Sequence, residues 1–136
     1  MSDGWQRYQL DESETRDDKP GRRWELSPKL DIDAFNLNVA ILEPGERLSQ
    51  NHFHYHENQE ELIHVTAGRC RVEVVDDRFV AEQGDTVQFD AGEPGTHLVH
   101  NPFDETCRLM AIGWPPEGRY PVEQVQTFEE LLAERE

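Results

Sequence analysis

The chain has 136 residues, enough for one domain with a single buried core and too short for two ordinary ones. Its 29 Asp and Glu against 13 Lys and Arg leave a formal charge of -16, which repels nucleic acid and anionic membranes, whose binding needs clustered cations. With 35% hydrophobic and 31% charged residues, nine Gly and eight Pro, the composition suits a turn-rich globular protein and excludes a disordered one.

Residues 1–23 are polar and crowded with charge (Asp11, Glu12, Glu14, Arg16, Asp17, Asp18) and close on Pro20-Gly21, as an arm with little structure of its own would. Trp5, Tyr8 and Trp24 are the exceptions, since aromatics in a polar arm dock it onto the body or onto a partner subunit. From Phe35 the pattern becomes alternation: Phe35, Leu37, Val39 and Ile41 share one face of a strand while Asn36 and Asn38 point away, and Pro44-Gly45 ends it. Strand-like runs follow at 52–56, 62–66, 70–75, 78–81, 86–89, 97–101 and 107–113, punctuated by Ala67-Gly68, Asp76-Asp77, Gln83-Gly84, residues 90–95 and Asn101-Pro102. Many short strands at close, regular spacing mean an all-β sandwich or barrel. Residues 114–118, Trp-Pro-Pro-Glu-Gly, form a rigid surface connection that fits an interface or a lid equally well. Thr127 followed by Glu130 is a capping box, and Phe128, Leu131 and Leu132 fall on one face of a short C-terminal helix. The expected organisation is an arm over 1–23, a barrel over 24–120 and a helical segment over 121–136.

His52, His54 and His56 alternate along one strand, so their side chains point the same way, about 7 Å apart, and two neighbours can hold a single metal ion. Glu61 begins the next apolar strand, a poor place for an unpaired charge. Either water solvates it there or a cation compensates it.

Pro44-Gly45, His54-Tyr55-His56, Glu61 and Gly68 together resemble the first sequence motif of the cupins, with a wider gap between Gly45 and His54 as the one departure. Residues 84–92 (GDTVQFDAG) followed by His97 and Asn101 resemble the second, although Asp90 stands where the family has proline and residues 93–96 lengthen the loop before His97. The resemblance covers roughly 35–113 and implies a jelly-roll β-barrel holding one divalent metal ion, with His54, His56, Glu61 and His97 as its ligands. Imidazole and carboxylate without thiolate suit Fe, Mn, Ni, Zn, Co or Cu. The widened gap also permits a shifted register with His52 and His54 as ligands, but the spacing to Glu61 that matches the family favours His54 and His56. His52 is expected to line the mouth of the cavity, Gln88 and Asn101 to orient ligands by hydrogen bonding, and His64 and His100 to face outward. Tyr55, between the ligands, belongs to the other face of its strand.

A cupin barrel hosts oxygenases, isomerases, decarboxylases and simple binding proteins, so the fold alone names no reaction. The first expectation is a metal-dependent enzyme on a small molecule. A non-catalytic binding or sensing module is the second, and a metal that merely staples a small barrel is the third. Family barrels commonly pair edge to edge, which makes a homodimer the expected assembly, its exposed strand covered by the aromatic arm. Neither Cys70 nor Cys107 sits in a CxxC pair and no apolar segment follows Met1, so a reducing cytoplasm is the expected location and both thiols are expected to act as small buried hydrophobes. Acid excess with only two lysines, Lys19 and Lys29, also resembles proteins of salt-loving organisms, where counterions screen the self-repulsion. No hydrolase triad is legible, since Ser49 lies in a turn and neither thiol has an activating context.

Overall fold

Period-two alternation interrupted by Gly, Pro and Asp turns produces a β jelly roll of two antiparallel sheets with one short C-terminal helix. The computed structural model describes residues 4–15, 22–48 and 52–136; the Pro20-Gly21 stop and Ser49 lie outside these. The strands are β1 (Arg22–Glu25), β2 (Asn36–Leu42), β3 (Phe53–His56), β4 (Glu60–Ala67), β5 (Arg69–Val74), β6 (Asp77–Glu82), β7 (Thr86–Phe89), β8 (His97–His100), β9 (Cys107–Trp114) and β10 (Val122–Gln126). One sheet runs in the order β1-β2-β9-β4-β7 and the other β10-β3-β8-β5-β6. The strands at 22–25 and 122–126 carry no clear alternation, so neither is among the strands expected from the sequence.

The main core lies between the sheets, where Leu42, Ile63, Val65, Val72, Val99 and Leu109 are all buried. Cys70 and Cys107 belong to it as free, fully covered thiols. Emptying such a site by Leu→Ala costs about 2–5 kcal/mol, so this half of the barrel is a rigid base for whatever the other half holds.

A single helical turn, α1 (Leu26–Lys29), follows β1, and the helix α2 (Phe128–Arg135) starts on the expected capping box, with Thr127 accepting from the Glu130 amide and the Glu130 carboxylate accepting from the Thr127 amide. It lies on the outer face of the second sheet, where Phe53, Leu98 and Leu131 form a second buried cluster with Phe128 packed against it. That placement changes the fate of His100. It does lie on the face opposite His97, but α2 covers this face, and His100 is buried rather than outward-facing, hydrogen-bonded to Glu73 and in edge contact with Phe128. His64 is partly exposed and pairs with the Thr86 hydroxyl.

Within the described part of the N-terminal segment, several groups have partners on the body. Trp24 donates its indole N–H to the Asp11 carbonyl at 2.8 Å, Gln6 donates to the Leu30 carbonyl, Arg22 pairs with Glu12 and Lys29 with Glu14. Tyr8 bonds Glu14 and lies under Lys29, whereas Trp5 stays largely exposed. This docking explains which way β2 faces. Trp24 pairs opposite Val39 on the outer face, and the inner face of β2 carries Asn38, Ala40 and Leu42, all buried. The apolar row Leu37, Val39, Ile41 therefore points away from the cavity, and the asparagines point into it. No helix among the described residues is long and apolar enough to cross a membrane.

Candidate metal centre

Strand parity and pairing assemble the site. His54 and His56 sit on one face of β3, and His54 lies directly opposite His97 of β8, so three imidazoles share the inner face of the second sheet. Glu61 comes from the facing sheet, on β4, with Gly113 of β9 and Phe89 of β7 as its cross-strand neighbours. Phe89 stacks flat on the His97 ring at 3.7 Å between centroids, which fixes that ring. Ligand atoms of His54, His56 and Glu61 all lie within 4.8 Å of one another, and His97 Nε2 is 3.6 Å from Glu61 Oε1.

Each histidine uses Nδ1 on a backbone carbonyl: His54 on His52 O at 2.7 Å, His56 on Arg119 O at 2.6 Å, His97 on Gly95 O at 2.7 Å. A carbonyl only accepts, so the ring proton is on Nδ1 in all three, and in the neutral imidazole Nε2 keeps a bare lone pair. His56 Nε2 stands 2.8 Å from Glu61 Oε1, off the direction of a hydrogen bond, and that buried oxygen makes no other. A lone pair held against a carboxylate oxygen is repulsive unless a proton or a metal cation lies with them. The donor set and the stranded oxygen therefore both fit a borderline divalent ion, and the carbonyls that orient the rings are the outer contacts such a centre needs.

Electrostatics keep two of the three imidazoles free of a second proton. Burial pushes His54 down to about 3, with the charge of His97 adding to it and Glu61 opposing. His97 is lowered too, again chiefly by burial. At His56 burial is outweighed by the adjacent Glu61 carboxylate, and the imidazole is held above its ordinary value. Burial alone would raise Glu61, but His56 and the charges of His97 and His54 hold it at about 2.

The cupin domain model matches residues 38–113, from β2 to β9, a span that includes all four residues. The chain belongs to the cupin domain family. Among curated proteins, polyketide synthase CurC of Streptomyces cyaneus is 34% identical over 76 residues, which is 54% of this chain and 45% of that protein. Among solved structures, a sugar phosphate isomerase of the cupin superfamily from Silicibacter pomeroyi is 27% identical with a TM-score of 0.63, over 68% of this chain and 57% of that one. Polyketide cyclase RemF from Streptomyces resistomycificus shares the fold at a TM-score of 0.68 and 21% identity, over 92% of this chain and 89% of that one. The matched region thus spans about half the length of the first two relatives.

Three residues expected along the cavity of this cupin lie elsewhere. His52 precedes β3, where alternation no longer binds it, and its Nδ1 accepts from the Phe128 amide at the start of α2. Gln88 pairs opposite Leu62, on the face away from Glu61, and bonds Glu60 and Asp90. Asn101 is buried in the turn after β8, donating to the Leu42 and Glu105 carbonyls and accepting from the Phe103 amide. The cavity is lined instead by residues without a motif: Arg23, Asn38, Gln59 and Arg119 join the four. Gln59 fits because position 113 is glycine, where a Cβ would stand 2.9 Å from its side chain. The connection after β9 forms a wall: Gly118 approaches the Asn58 carbonyl so closely that a Cβ would come within 2.1 Å, and this contact sets Arg119 beside His56. Alternation signals none of Arg23, Gln59 and Arg119, since they come from an edge strand and two loops, whereas Asn38 lies on the alternating strand β2.

Proposed function

We propose that this cupin holds one divalent transition metal ion on His54, His56, Glu61 and His97 and serves as a metal-dependent enzyme on a small carbonyl-bearing molecule. The observation that carries the reading is the stranded Glu61 oxygen facing imidazoles whose Nδ1 protons are already committed to carbonyls. When bound, such an ion supplies Lewis acidity toward a carbonyl or enolate oxygen. The chain's own part is to hold the donors: the His52, Arg119 and Gly95 carbonyls orient the rings, and the stack of Phe89 on His97 keeps water from that side. Asn38 and Gln59 offer neutral hydrogen bonds to a ligand's oxygens, and the Gln59 side chain is itself held by the Pro115 carbonyl. A cyclase acting on a polyketide and an isomerase acting on a sugar phosphate both handle oxygen-rich carbonyl compounds, and relatives bearing those names support this substrate class.

A receptor role is the second reading, favoured by the absence of any acid or base lining the cavity beyond the four, among the described residues. Metal analysis of protein purified without chelator or added metal tests the first claim. About one ion per chain is expected in the wild type and a loss in His56→Ala; equal contents remove the centre. Metal-replete protein that binds a keto acid, phenol or sugar phosphate tightly without turnover decides for the receptor.

A further inference from the structure

The cavity carries charge that the four-residue centre does not use. Arg23 of β1 lies opposite Ala40, a covered core residue on the inner face of β2, so Arg23 projects to the same side. Its Nε is buried and the residue lines the cavity. Arg119 reaches the cavity from the other side of the centre, its carbonyl on His56 and its guanidinium 5.6 Å over the Tyr120 ring. Arg23 and Arg119 are thus the cations, and Glu61 the carboxylate, among the described residues that line the cavity of a chain whose formal charge is -16. A divalent ion on the centre would add positive charge on the same side of the cavity.

We propose that Arg23 and Arg119 form an oxyanion-binding rim that holds the carboxylate or phosphate of the small molecule whose other end approaches the metal centre. The inference rests on the metal-dependent reading for that other end only. Long-range repulsion from an acidic protein works against any anion, so anion binding here has to come from fixed local cations in a partly dry pocket. The planar guanidinium fork matches carboxylate and phosphate oxygens and sheds its hydration more readily than an ammonium. Arg23 stands on the first sheet and Arg119 on the wall after β9, so an anion between them is held from both sides while its body points to Glu61 and the imidazoles.

The test uses salicylate against its methyl ester, two probes that differ by the anionic charge, with inorganic phosphate as the third. Calorimetry on metal-replete protein is expected to show salicylate binding more tightly than the ester. Arg23→Gln and Arg119→Gln should each weaken salicylate and phosphate about tenfold, leaving the ester and the metal content unchanged. Arg119→Lys, which keeps the charge and loses the fork, should fall between; it also carries the test if Arg23→Gln does not fold. The stronger of salicylate and phosphate identifies the oxyanion. Equal binding of salicylate and ester, or variants that bind both anions as the wild type does, overturns the rim. Phosphate binding that depends on both arginines in protein that holds no metal would keep the rim and overturn the metal centre alone.

Discussion

Two carboxylates beside histidine, Glu73 fully covered and Glu61 partly so, lie on the outer and inner sides of the second sheet, and they have opposite fates. Glu73 of β5 is fully covered beneath α2, yet both its oxygens are satisfied: Arg78 reaches it at 2.7 Å, Arg135 at 3.1 Å and His100 at 2.7 Å. Glu61 faces three imidazoles and no guanidinium at contact distance, and its Oε1 is left without a hydrogen bond. Permanent positive charge makes the difference. Where the fold supplies arginine, a buried carboxylate is a structural tie; where it supplies imidazole alone, the carboxylate leaves a place for the cation proposed above.

Substituting each carboxylate by its amide should separate the two with the largest effects. Glu73→Gln leaves Arg78, Arg135 and His100 around a neutral group, and since both arginines are partly exposed the cost is at the low end for a broken buried pair, about 3 kcal/mol, or about 10 °C in melting temperature. Its metal content per folded chain should match the wild type. Glu61→Gln should lose the metal while its metal-free form loses less stability than Glu73→Gln does, because imidazoles, His56 nearest, and no arginine in contact compensate the Glu61 charge. Chelator titration with calorimetric melts measures both, and a metal-free Glu61→Gln protein destabilised as much as Glu73→Gln would make Glu61 another structural tie.

Acidification should act on the two sites in order. His56 is held above its ordinary value by Glu61, so a metal ion has to displace that proton, and its apparent affinity should fall as soon as the pH drops through the raised His56 value. Glu73 is different: burial alone would raise it, but Arg78, His100 and Arg135 hold it at about 2, below its reference of 4.5. A depressed folded value means stability that is complete above 4.5 and lost as the pH falls toward 2. Metal release should therefore precede unfolding, and the stability gap between wild type and Glu73→Gln should close at the acid end. Metal retained down to the unfolding transition would contradict this order.

How much of this was legible in the sequence depends on what alternation can encode. Eight of the ten strands carried period-two patterns or recognisable turns, whereas the set of His54, His56, Glu61 and His97 was implied by the resemblance to the cupin motifs. Alternation gives the two faces of a strand but not which face is inside. On β2 the polar asparagines line the cavity because the N-terminal segment covers the apolar face, and on β8 His100 is buried because α2 covers the outer one. Both outcomes depend on segments distant in sequence. Arg23, Gln59 and Arg119 carried no pattern at all, since their positions follow from an edge pairing and from close approaches at Gly113 and Gly118.

The smallest expected effect belongs to His52, which has the same sequence parity as the ligands and yet sits in the tie between β3 and α2. Its Nδ1 accepts from the Phe128 amide at 2.8 Å, one of the first helix donors that lack an intrahelical partner, and the Gln124 side chain accepts from its own amide. His52→Ala frees the Phe128 amide to water at the partly exposed end of a short helix, and loss of such a cap costs about 1 kcal/mol. The same change leaves the His52 carbonyl in place for His54 Nδ1, so ligand orientation should survive. Metal content and affinity are therefore expected to match the wild type while the melting temperature falls by a few degrees, about 3 °C. Amide hydrogen exchange at Phe128 should quicken alongside. A His52→Ala protein that melts like the wild type but has lost its metal would put His52 in the cavity and return the ligand pair to His52 and His54.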